Sequence, residues 1–338
     1  MFGFEMTDYD KKVYEEELKD FLPNKIIDLH THVYKKEFPA YGASNGGSTW
    51  PDRVAEDCTI EDLIQTYKDL FPGKTVIPNI FGGVKCDIDV VNNYIKECGQ
   101  KYNYPYMYRV TYDMDPEKVE REVKEGGFLG FKPYLSNKPD YIPDSEIRIF
   151  DFMTPEHLKI ADKLGLVVIM HIARDERLKD KVNIAQLMEI EEKYPNVKLV
   201  VAHIGRAYSE HDLGDAFKTL GQTKNMLFDF SANTLDIAMQ RCIEAVGTDR
   251  IMFGSDMPIS KMRMYRVVEG SNYVNVVPRG LYGDVSGDIH MREVDGENIT
   301  SFIYEELLAF KRAVKNLGLS KEDVEKMMCK NAERILKR

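Results

Sequence analysis

The segment "IIDLHTHVY", residues 26–34, carries two of the chain's seven histidines, His30 and His32, directly after an apolar run. Side chains two apart on a strand share a face, so the two imidazoles project together, as ligands of one metal ion do. Other apolar runs end in the same kind of group: His171 closes "LGLVVIMH", His203 closes "VKLVVAH" and Asp256 closes "DRIMFGSD". Only His157, His211 and His290 fall elsewhere. Three neutral imidazoles and one carboxylate with an open position suit zinc and, less selectively, manganese, iron or cobalt. A metal so held lowers the pKa of its bound water to roughly 7, making hydroxide available at neutral pH. His203 would be left beside it to polarise a carbonyl or hold the nucleophile. Asp256 could both touch the metal and shuttle a proton.

These groups meet only if the runs that carry them are neighbours. Eight short runs, 25–32, 74–80, 106–112, 127–134, 164–171, 197–203, 225–231 and 249–256, have the length and the β-branched or aromatic content of buried parallel strands. Helical segments with recognisable ends lie between them. Thr59 caps one that closes near Pro72 and Gly73; Thr154 caps another, with Pro155 first and Gly165 just past its end; a third begins on Asn183 and stops before Pro195. The alternation has no linker or composition break, and predicts an α/β fold: one (β/α)8 TIM barrel spanning 1–338, whose strand ends converge on one rim. Residues 1–24 are expected to add a helix before the first strand. Insertions after strand 1 (35–58) and strand 8 (257–298) rise from the catalytic rim. The second is expected to be a mobile flap over substrate or a subunit interface.

A formal charge of −10, with 43% hydrophobic and 30% charged residues, describes an ordinary globular chain and argues against a nucleic-acid partner. No apolar run is long enough to cross a membrane, and the N-terminus has no secretory apolar region. Five cysteines without a C-x-x-C pair fit reduced thiols in a cytoplasm. A small-molecule substrate and self-association, as a dimer or larger, are the expected partners.

In order along the chain, "DLHTH", "MHIAR", "AHIGR" and "GSDMP", with the closing "NAERIL", make it resemble the amidohydrolase superfamily. It is most similar to the branch of mostly one-metal members that includes aminocarboxymuconate-semialdehyde decarboxylase and several lactone hydrolases. The resemblance runs from about residue 25 to the end. It implies His30, His32, His171 and Asp256 as ligands of one divalent metal, foremost Zn2+ with Mn2+ as the alternative, and His203 as the catalytic histidine beside them. Lys132 of "GFKPY" stands where two-metal members place a carboxylated bridging lysine, and is expected either to bridge or to pair with an acid or a substrate anion. Lys132, Tyr134, Arg174, Arg206, Arg263 and Arg266 are the candidate substrate-binding residues. Arg206 occupies a position where the family often has a small residue. In the second insertion, Arg279, His290, Arg292, Tyr265, Tyr273 and Tyr282 accompany Arg263 and Arg266, and one or two of the arginines are expected to grip a carboxylate. Trp50 and Tyr41 could line the pocket or pack their loop.

The expected reaction is hydrolysis of a small, anionic amide, ester or lactone by metal-activated water. Non-oxidative decarboxylation, a carbon–carbon lyase reaction, is the alternative on the same scaffold. A barrel that binds metal or ligand without turnover is a third reading, against which the intact ligand set argues.

Overall fold

The structure, a computed structural model, describes residues 5–41, 53–296 and 298–337, so Trp50 lies outside the described residues. Eight parallel strands match the eight apolar runs, the first two running one and two residues past theirs and the other six lying inside: β1 Lys25–Val33, β2 Thr75–Gly82, β3 Tyr108–Val110, β4 Gly130–Pro133, β5 Val167–Met170, β6 Lys198–Val201, β7 Leu227–Asp229 and β8 Ile251–Met252. β3 to β8 form one sheet in sequence order, and β1 pairs with β2. Backbone hydrogen bonds join the two pieces. Ile80 N donates to Pro105 O and Met107 N to Ile80 O, while Leu29 N donates to Phe253 O and His32 N to Met257 O. The strands therefore run round into a (β/α)8 barrel, helices outside.

Ile27, Leu29, Met107, Val167, Ile169, Val200 and Met252 fill the barrel interior. Cys329, Ala332 and Ile335 join that cluster, so the "NAERIL" helix, Asn331–Leu336, seals the end opposite the strand C-termini. The helix expected to begin on Asn183 spans Lys181–Lys193, because the preceding Asp180 takes the cap, accepting from the Val182 and Asn183 amides. The N-terminal extension contains the helix Asp8–Val13, opened by a reciprocal cap between Thr7 and Asp10.

The second insertion, expected as a flap or an interface, has its own secondary structure. It is a folded unit in which β9 Tyr265–Glu269 and β10 Asn272–Pro278 form an antiparallel hairpin and β11 Met291–Val294 lies parallel to β10. Valines at 267, 268, 274, 276 and 277 flank a turn at Gly270, whose φ of 62° a glycine adopts without strain. Met262, Met264, Val277, Tyr282 and Met291 give it a small core shared with Phe302. Among the described residues, no helix is long and apolar enough to cross a membrane.

Candidate metal centre and active site

His30 and His32 reach the barrel mouth because β1 is not regular. Asp28 pairs with Pro78 but Thr31 with Ile80, so β1 has one residue more than β2 between these points, a β-bulge. Ile27 and Leu29 face the interior. Without the bulge, alternation would send Thr31 and Val33 inward and both histidines out. Side chains satisfy the groups it strands: Asp28 Oδ1 accepts from His30 N at 3.2 Å and Asn79 Nδ2 donates to Leu29 O at 2.9 Å. β8 approaches closely here, and a Cβ on Gly254 would stand 2.6 Å from His30 Cβ.

The hydrogen bonds fix which nitrogens carry protons. Tyr134 donates its hydroxyl hydrogen to Gly82 O at 2.6 Å, so at its 2.9 Å contact with His32 Nδ1 it must accept, and Nδ1 is the protonated nitrogen. His30 Nδ1 donates to Asp229 Oδ2 at 3.0 Å, and His203 Nδ1 to Ser231 O at 2.9 Å. A neutral imidazole so bonded carries its lone pair on Nε2, and that of His30 also faces Lys132 Nζ. The lone pairs of His32 and His30 face the same carboxylate oxygen, Asp256 Oδ1, at 3.1 and 3.4 Å. Lone pairs and an anion at such range repel unless a cation lies among them.

Ligand atoms of His30, His32 and Asp256 lie within 4.8 Å of one another, as do those of His30, His171 and His203. His171 Nδ1 is buried with no hydrogen-bond partner among the described residues, as befits a ligand atom. Burial, aided by Lys132, pushes His30 down to about 3 and holds His171 well below the usual range; burial also lowers His32. Burial opposes ionisation of Asp256, but His203, His32 and His30 outweigh it and hold the carboxyl below its ordinary value. Neutral imidazoles around an ionised carboxylate fit a divalent cation.

Lys132, buried on β4, places Nζ 3.1 Å from His30 Nε2. Its ammonium and a metal compete for one lone pair. Burial lowers it to about 8, which eases its yielding.

Asp229, at the end of β7, is a residue the histidine pattern does not single out. Its Oδ2 takes His30, its Oδ1 takes the His203 amide at 2.8 Å and the Ser231 amide at 3.1 Å, and the Ser231 hydroxyl also donates to it. Burial works to raise its pKa, but His30, His203 and Ser231 prevail and keep it ionised. One buried carboxylate thus sets the tautomer of one histidine and the backbone of another. That backbone is unusual: His203, Ile204 and Arg206 have φ of 58°, 48° and 57°, and Arg174, Ala232 and Asp256 also lie in the left-handed region. Strained residues so clustered beyond β5 to β8 mark a site whose geometry is imposed.

The expected substrate-binding residues divide. Tyr134 and Lys132 stand at the histidines. Arg174 lies at the mouth with Nε on Asp180 at 2.9 Å. The Arg206 guanidinium makes no hydrogen bond or ion pair with any described residue, and its charge helps depress His171. Arg263 corrects its expectation: it is spent on Asp10, on Glu5 O and on Ile299 O, tying the insertion to the N-terminal helix. Arg266 is likewise a fastening, donating to Asn275 Oδ1 and Ala232 O while lying over the rings of Tyr208, Tyr273 and Phe302. Arg279 pairs with Asp295, Arg292 with Glu269, and His290 stacks on Tyr273 at 4.1 Å, so none of these is free to reach substrate. Tyr282 accepts from the Arg263 amide, Tyr265 pairs with Asn275's neighbour Val276 in the hairpin, and Tyr41 stacks on the Arg109 guanidinium.

A barrel whose rim carries this histidine–aspartate cluster is that of a metal-dependent enzyme. The chain belongs to the amidohydrolase family, which it matches over residues 27–338. No curated protein matches it. Among solved structures it is similar to a probable 2-pyrone-4,6-dicarboxylic acid hydrolase from Acinetobacter baumannii with citric acid bound. That match has 15% identity and a TM-score of 0.58, and covers 93% of this chain and 99% of that one. It is also similar to a 2,6-dihydroxybenzoate decarboxylase from Rhizobium (14%, TM-score 0.57, 93% and 99%) and to a zinc-bound amidohydrolase from Burkholderia multivorans (15%, TM-score 0.59, 92% and 98%). At these identities the likeness speaks for the fold.

Proposed function

We propose that the chain hydrolyses an amide, ester or lactone that bears an anionic group, with one divalent cation, foremost zinc, held by His30, His32, His171 and Asp256. The observation that supports this best is the pair of imidazole lone pairs turned on Asp256 Oδ1, at 3.1 and 3.4 Å. When bound, the cation supplies Lewis acidity, polarising a carbonyl and acidifying water. The side chains do the rest. Asp256, kept ionised by its histidines, takes a proton from the attacking water and returns it to the leaving atom. His203, its Nδ1–H fixed on Ser231 O, offers Nε2 as an acceptor and so orients that water. The Arg206 guanidinium, unpaired among the described residues, receives the substrate's anion. Decarboxylation is the second reading, favoured by Lys132: an amine buried beside the histidines and poised near 8 can deliver the proton that replaces carbon dioxide on carbon.

The test is metal analysis of the purified protein with turnover of a panel of lactones, esters and aromatic acids. About one equivalent of metal with ester or lactone turnover is expected. Protein that stays metal-free after expression with zinc and manganese overturns the reading, and near two equivalents would make Lys132 a bridging ligand.

A further inference from the structure

Beside the histidine cluster, and open to it, lies a cavity of about 900 Å³. His32, His171, Asp256 and Tyr134 border its inner end, and Tyr34, Phe38, Val84, Leu135, Pro258 and Ile259 line it with apolar surface. Its mouth carries charges of both signs. Lys35 lies 3.5 Å from Glu37 and Lys36 lies 3.7 Å from Glu56, and Lys85 also borders the cavity. Ligand pockets run from roughly 300 to 1,000 Å³, and this one is near the top. A single-ring acid would leave most of its apolar wall against water.

The cavity is held open. Arg109, fully buried on β3, directs its guanidinium to the carbonyls of Gly83, Val84 and Cys86 and to Asn137 Oδ1. A buried cation spent on three carbonyls of one short loop fixes the loop, and that loop is a cavity wall. Tyr34 packs tightly on the same loop: a Cβ on Gly83 would stand 2.8 Å from its ring. Arg109 also lies under the rings of Tyr41 and Tyr134, at 5.2 and 5.6 Å, joining the wall to the tyrosine that orients His32. These bonds hold the Gly83–Cys86 part of the wall in place.

We propose that the substrate carries a bulky uncharged group, an aryl ring on a linker or an alkyl chain of several carbons, which occupies this cavity while the reacting carbonyl lies at Asp256. The assignment deepens the hydrolase reading and rests on it only for the chemistry at the histidines. The substrate is thus larger than the small anionic molecule that the motifs led one to expect.

Calorimetric titration of the zinc-loaded protein with straight-chain carboxylates, acetate to octanoate, and with 6-phenylhexanoate tests this without turnover. Affinity is expected to rise roughly fourfold per added methylene until the cavity is filled, as for burial of a CH2 group. Leu135→Trp, which fills the cavity, should weaken octanoate at least tenfold more than it weakens acetate. Val84→Trp does the same from another part of the lining should the first variant fold poorly. Wild-type affinity that stays within threefold from acetate to octanoate overturns the assignment. So does a steep series that neither tryptophan alters. Turnover of short-chain esters with a flat series sinks the cavity assignment and spares the hydrolase reading; a steep series with no turnover of long-chain esters does the reverse.

Discussion

The two flanks of the site both commit most of their cations to the protein, and they differ by one arginine. On the β3–β4 side the cations are buried and committed to the protein itself, Arg109 to a loop and Lys132 to His30. On the β5–β6 side and in the insertion, most arginines also have partners: Arg174 with Asp180, Arg177 with Asp212, Arg266 with rings and carbonyls. Arg206 alone of these four has no hydrogen bond or ion pair among the described residues. A cation's position in a motif therefore says little about its task. What it has already been given to hold says much more, because a guanidinium with its donors satisfied has little left to offer a ligand.

The largest effect should come from the residue both flanks converge on. Asp256→Asn removes the proton acceptor and weakens the metal site, and kcat is expected to fall by about 10³-fold or more, within the range assigned to general acid–base groups. Retention of substantial activity would show that the proton leaves by another route. His203→Asn should cost about 10²-fold in kcat, also in that range, while keeping the metal. Since His203 lies within ligand reach of His30 and His171, loss of metal along with activity would move it into the ligand set.

Asp229→Asn probes the shared support beneath the cluster. An amide in its place can accept from His30 Nδ1 with one oxygen, but cannot also take the His203 and Ser231 amides. Metal affinity should drop about 10- to 100-fold, the usual loss when an outer partner of a ligating histidine is removed. An unchanged affinity, measured by competition with a chelator, would show that the bulge alone aims His30.

Much of this site was legible in the sequence. Eight apolar runs gave the strands, and imidazole and carboxylate at their ends gave the cluster, because buried strands and metal ligands both restrict residue type. Other parts leave a fainter signal. The β1 bulge depends on Asp28 and Asn79, which read as ordinary strand polars until their partners are seen. Asp229 and Arg109 are single charges inside apolar runs, "MLFDFS" and "YMYRVTY", and only that isolation hints that each is buried and paired. In the insertion, the glycines suggested a flap while the alternating valines built a sheet. Local pattern reports what a residue can do, whereas burial and partner count decide what it does.

The sharpest test of the contrast pairs two arginines that sequence alone puts in one class. Arg206→Met should raise KM for an anionic substrate about tenfold or somewhat more, the loss of one charge-assisted hydrogen bond at about 1.5–3 kcal/mol. Its unfolding free energy should hardly change, since no described residue loses a hydrogen bond. Arg263→Met should do the opposite. Asp10 is fully buried and Arg263 nearly so, and removing the guanidinium leaves a buried carboxylate held only by Thr7 and Thr300. Breaking a buried pair in this way costs up to about 3–5 kcal/mol, and the threonine bonds that survive should keep the loss at the lower end or below it. KM should stay within about twofold, because the guanidinium is bonded to Asp10, Glu5 O and Ile299 O, none of them at the histidines. Denaturant unfolding and steady-state kinetics on the two variants together settle the matter. If Arg263→Met raises KM while unfolding is unchanged, the insertion reaches substrate and the division between spent and unspent cations is wrong.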